Sequence, residues 1–106
     1  MHVGFIVTKT PGEIGFKTFL NLANLYLGRD EITIYLIGNG VYCGRKGHKS
    51  GLSPKIIKNS RVNALRQDLT ARGIRGDQLM EGVEIMGGYD EMVHAIMEEL
   101  DQVLSF

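Results

Sequence analysis

Cysteine occurs once in this chain, at Cys43, proline only twice, and no apolar run approaches the ~20 residues that span a bilayer. A single thiol excludes an intramolecular disulfide. Two prolines, at Pro11 and Pro54, leave no Pro-rich linker, and no internal repeat or low-complexity run divides the 106 residues. The expected unit is therefore one domain covering 1–106, near the lower end of what buries its own core. No basic n-region followed by an apolar h-region marks a leader. The expected setting is cytoplasmic and reducing, away from membranes.

Familiar chemical signatures are also missing. There is no GxSxG elbow, no GxxxxGK[ST], no HExxH and no GxGxxG. Cys43 and three scattered histidines, His2, His48 and His94, fall short of a structural zinc set. Neither a metal nor another cofactor is expected.

A net charge of zero conceals an uneven distribution. Residues 45–75 hold nine Lys and Arg against one acid, Asp68, whereas 76–106 hold eight acids and no Lys or Arg. One reading is a solvated surface whose halves neutralise each other in the fold. The other is a basic face for RNA, phosphate or an acidic protein. The basic stretch has no interleaved aromatics, which disfavours direct RNA binding.

What is present alternates between two periods. HVGFIV (2–7) and EITIYLI (31–37) are apolar runs suited to strands buried on both faces. Between them Phe16, Phe19, Leu20, Ala23 and Leu27 recur at helical spacing, with a polar stripe of Lys17, Asn21, Asn24 and Gly28. So narrow a stripe implies cover on two sides, by the sheet and by a partner subunit. Strand, helix and strand in sequence make a right-handed βαβ unit with parallel strands.

Residues 54–60 suit short helical or irregular structure. RVNAL (61–65) fits a strand, although Val62, Leu65 and Leu69 also fit a helix. DLTARG (68–73) predicts a short helix with Asp68 as N-cap and Gly73 at its end. VEIM (83–86) predicts a strand, Tyr89 to Leu100 a helix, and QVLSF (102–106) a last strand. The expected fold is a three-layer α/β sandwich, flavodoxin-like, with a mostly parallel sheet of about five strands.

In such sheets, sites lie beyond the carboxyl ends of the strands. The segment GNGVYCGRKGH (38–48) leaves the second strand at that edge. Arg45, Lys46 and His48 would favour a thiolate at Cys43, and Asn39 and Gly40 open the turn. Cysteine is also among the residues most often buried as a small hydrophobe. Both readings stand: a working thiol, or inert packing.

The ordered set RVNALRQDLTARGI (61–74), GVEIMGGYDEMVHAI (82–96) and QVLSF (102–106) resembles the DsrH/TusB proteins of bacterial sulfur relay. The first half, with FIVTKTPGEIGFKTFLNLANLYL and IYLIGNGVY, is similar to the sister DsrE/TusD and DsrF/TusC branches. The resemblance implies trimers, or hexamers of the DsrEFH or TusBCD type, built from this chain or its paralogues. Such assemblies pass sulfur as a cysteine persulfide between donor and acceptor proteins, toward tRNA 2-thiolation or sulfur oxidation. Any link to tRNA would be indirect.

The chain departs from the family where its thiols are expected. The DsrE/TusD cysteine lies after the third strand, where Leu65 and Arg66 stand here. DsrH proteins with a cysteine carry it in the first helix, and 14–27 has none. Cys43 is then either a displaced sulfur carrier, with Arg45, Lys46 and His48 stabilising it, or incidental to a non-catalytic subunit. An alternative of another class is a module binding a small anion through Asn39, Gly40, Arg45, Lys46 and His48 in the 38–51 loop.

Overall fold

The computed structural model describes residues 1–47 and 51–106. Five parallel strands form one sheet in the order β4-β3-β2-β1-β5: β1 His2–Val7, β2 Glu31–Leu36, β3 Arg61–Leu65, β4 Val83–Met86 and β5 Gln102–Ser105. The apolar runs at 2–7 and 31–37 thus occupy the central positions. There, strands lose water on both faces and tolerate few polar side chains.

Four helices cover the sheet: α1 Ile14–Tyr26, α2 Pro54–Lys58, α3 Arg66–Ala71 and α4 Asp90–Glu98. The first three lie on one face, where Phe16, Phe19, Ile56, Ile57 and Leu69 join the main core with Val3, Phe5, Ile32, Ile34 and Val62. An aromatic cluster anchors α1, with Phe5 edge-on to Phe19 at 5.4 Å and stacked on Phe106 at 6.1 Å. Such pairs contribute roughly 0.5–1.5 kcal/mol beyond their buried area. α4 alone serves the opposite face, packing Met92 and Ala95 against Tyr35, Leu65 and Met86.

One ambiguity is resolved, and two local expectations need adjustment. RVNAL is a strand, and it passes into α3 without an intervening turn. α3 therefore begins at Arg66, with Leu65 at the N-cap position, so Asp68 sits inside the first turn. Gly73, at φ +66°, follows the helix in the left-handed conformation that glycine adopts without strain. The glycine-rich stretch after β2 is a 3₁₀ helix, Gly38–Gly44, with Gly40, Val41, Cys43 and Gly44 buried.

α1 buries Phe16, Phe19 and Ala23 but leaves Ile14 and Leu25 in solvent. Tyr89 at the N-cap of α4, with Val93 and Met97 on the helix, forms a second exposed row at i, i+4 spacing. The exposed Ile14 and Leu25 fit the expectation that the first helix has more apolar surface than the sheet covers; the row beside α4 was not foreseen.

Candidate functional site at the carboxyl edge

The 3₁₀ helix Gly38–Gly44 lies at the carboxyl end of β2, and a short network ties it to α3. The Gly38 N–H donates to Asp68 Oδ2 at 2.7 Å. Arg72 donates from Nε to Asn39 Oδ1 at 3.1 Å, and from Nη1 to the Asp68 carbonyl at 3.2 Å and to Oδ1 at 3.5 Å. The i, i+4 spacing of Asp68 and Arg72 stacks them on one helical face. The third turn position of Asp68 leaves its carboxylate free to reach across to Gly38 rather than cap its own helix. A bond to a charged group contributes about 1.5–3 kcal/mol. Asp68→Ala is therefore expected to lower stability by about 2 kcal/mol in chemical denaturation, against under ~0.5 kcal/mol for the exposed Gln67→Ala.

The predicted site residues reach different places. Asn39 is exposed at this edge and engaged with Arg72. Gly40 is buried, and a Cβ built there would lie 1.9 Å from the Val7 carbonyl oxygen. Arg45 turns its guanidinium over the Tyr42 ring at 4.7 Å, and its Nε donates to the Tyr42 carbonyl at 3.4 Å. Lys46 is exposed, with its backbone N–H on the Gln78 carbonyl at 2.9 Å. His48 lies outside the described residues. Asp68 and Arg72 were not singled out as site residues; their signal is the Asp-x-x-x-Arg spacing on the helix that faces the turn.

Cys43 has no exposed surface and belongs to the main core with Val41, Leu52 and Phe5. Its Sγ donates to the Lys9 carbonyl at 3.2 Å. Burial pushes the thiol up to about 12, against a weaker downward pull from Arg45 and a small upward push from Glu13. Desolvation thus outweighs the pull of Arg45, whose guanidinium is held over the Tyr42 ring. At neutral pH the group is a thiol that donates a hydrogen bond.

Among the described residues, no group of three or more His, Cys, Asp or Glu is placed to hold a metal ion. No helix among them is long and apolar enough to cross a membrane.

Over residues 15–102 the sequence matches the family model described as "DsrH like protein". Among solved structures, the ychN protein from E. coli superposes with a TM-score of 0.78 at 26% identity, covering 100% of both chains. A protein of unknown function from Methanobacterium thermoautotrophicum, MTH1491, superposes at 0.77 with 23% identity, covering 99% of this chain and 98% of that one. No curated protein matches.

Proposed function

This chain belongs to the DsrH-like family of sulfur-relay proteins, and on that premise we propose that it serves as a non-catalytic, structural subunit of a DsrEFH- or TusBCD-type assembly. The observation that carries the reading is the state of its only cysteine, which is buried, protonated and bonded to the Lys9 carbonyl. A persulfide carrier needs a thiolate that donor and acceptor proteins can reach. In this role the chain contributes surface, and the persulfide resides on a paralogous subunit. Sulfur would pass through the cytoplasm toward tRNA 2-thiolation or sulfur oxidation, with tRNA met only through partners.

Two faces suit assembly. Tyr89, Val93 and Met97 on α4 are 45%, 51% and 74% exposed, and Ile14 and Leu25 on α1 are 85% and 65% exposed. Light scattering is expected to give a trimer or hexamer, for the chain alone or mixed with DsrE- and DsrF-like paralogues. A V93E/M97E variant is expected to dissociate it while the separated chain keeps its far-UV circular dichroism spectrum, since both side chains face water in the single chain. A monomer under all conditions would overturn the assembly role.

The carrier role of Cys43 makes a different demand, that the Gly38–Gly44 helix opens. Incubation with a cysteine desulfurase and cysteine, followed by mass spectrometry, separates the two. We expect no gain of a sulfur atom on Cys43; stoichiometric gain would establish the carrier. Binding of a small anion through the 38–51 loop has less support. The Gly38 and Gly40 N–H groups are bonded to Asp68 and Ile37, and the Asn39 side chain to Arg72.

A further inference from the structure

Under α4, on the sheet face opposite the other helices, lies a polar pocket of about 230 Å³ that the relay function does not use. Its floor comes from alternate positions on three neighbouring strands. Thr33 pairs with Arg61, Tyr35 with Asn63, and Asn63 with Glu84. Glu91, His94, Ala95 and Glu99 of α4 and its C-cap form the wall. α4 runs from the carboxyl end of β4 back to the amino end of β5, so it is antiparallel to the strands. Glu99 and Arg61 therefore sit at the amino end of the pocket and Glu91 toward the other.

Tyr35 marks this as more than a cluster of surface charges. The residue is 4% exposed and lines the pocket, and its hydroxyl, bonded to no group among the described residues, opens into that space and is not sealed in the core. The phenol faces Glu99, Arg61 and Glu91, and burial with the two carboxylates raises its pKa while Arg61 opposes. A phenol so placed can donate to an acceptor bound in the pocket. Thr33, equally buried at 4% exposure, is already satisfied, with its Oγ1 2.7 Å from His2 Nε2. Arg61, Glu84 and Glu91 have no ion-pair partner within the described residues, and Glu99 has only His94, at 3.8 Å.

Size and charge together define a ligand. The volume lies below the roughly 300–1,000 Å³ of pockets for drug-sized molecules, so the occupant is about as large as one amino acid. Three carboxylates against one guanidinium ask for a net cation, but Arg61 repels a simple diamine and asks for an acid. We propose that this pocket binds a free basic α-amino acid. Its carboxylate pairs with Arg61, its α-ammonium with Glu99 and its side-chain cation with Glu84 and Glu91, while Tyr35 donates to the carboxylate.

The test is an amide NMR titration of the intact protein with L-lysine and L-arginine, alongside putrescine, which lacks the acid, and glutarate, which lacks the amine. Saturable shifts are expected at residues 33–35, 61–63, 84 and 91–99 with either amino acid. Putrescine and glutarate should bind at least tenfold more weakly. R61M and the double variant E84Q/E91Q change exposed side chains and should each weaken binding at least tenfold with unchanged melting. No saturable shift with either amino acid would overturn the proposal. So would putrescine or glutarate binding as tightly, or unaltered binding by R61M. None of these outcomes bears on the assembly role, whose readouts are oligomeric state and persulfidation.

Discussion

Gly40→Ala is expected to destabilise the protein by about 3 kcal/mol or more. The added Cβ would lie 1.9 Å from the Val7 carbonyl oxygen and 2.7 Å from its carbon. Both atoms are backbone, so no side-chain rotation relieves the clash. Val7 cannot retreat either. It ends the interior strand β1, and its carbonyl accepts the Ile37 N–H at 3.1 Å. On the far side β1 is held by β5, with Phe106 N–H on the Ile6 carbonyl at 2.8 Å. The turn cannot swing out, because Gly38 is tied to Asp68 and the Gly40 N–H to the Ile37 carbonyl at 2.9 Å. In a domain this small, each kcal/mol shifts the melting temperature by about 4–8 °C, so a fall of roughly 12 °C or more is expected by thermal unfolding. Gly12→Ala is the control, since a Cβ there meets nothing within 4 Å. Equal melting of the two variants would refute the argument.

That close approach explains why the carboxyl edge was only half legible from the residues. The strands at 2–7 and 31–36 declare themselves because burial on both faces requires apolar runs, and the edge strands at 83–86 and 102–105 show as shorter apolar stretches between turn and helix signals. The family motifs likewise point to the fold. The stretch 38–44 reads as an open loop because three glycines and an asparagine suit turns, but here Gly40 and Gly44 serve close packing and only Gly38, at φ +54°, serves the turn. A Gly-rich segment is ambiguous between freedom and contact until its neighbour is known. Asp68 is similar. Its local signal is a helix cap, and the partner that moves it from that role, the Gly38 N–H, lies thirty residues away. Val62, Leu65 and Leu69 fit one helical face only because a strand runs directly into a helix at Leu65. The pocket under α4 did leave a trace. Thr33 and Tyr35, Arg61 and Asn63, and Glu84 put polar groups on one face of adjacent strands, the first two within a run read as buried on both faces.

Cys43 is expected to react with iodoacetamide at neutral pH about a thousandfold more slowly in the folded protein than in denaturant. The reactive species is the thiolate. A thiol at about 12 is ionised to only about one part in 10⁵ at pH 7, against about one part in 10² near the ordinary value of 9.0. Loss of contact with solvent slows it further, so the factor is a lower bound. The same burial makes stability depend on pH. Below pH 9 the thiol is neutral in both states and its contribution is fully present. Above pH 9 the unfolded chain releases the proton while the folded chain, at about 12, retains it. The unfolded state then binds fewer protons, and stability falls by up to about 1.4 kcal/mol per pH unit through that window. Tyr35, whose pKa is also raised, adds a fall of the same sign above pH 10. Cys43→Ala removes the first part and keeps the second, so denaturation of the two proteins between pH 8 and 10 isolates the cysteine. Rapid native alkylation, with no difference in slope between them, would mean that the thiol is ionised in place. The basic residues after it would then be acting as a sulfur carrier requires, and the structural reading of this subunit would have to yield.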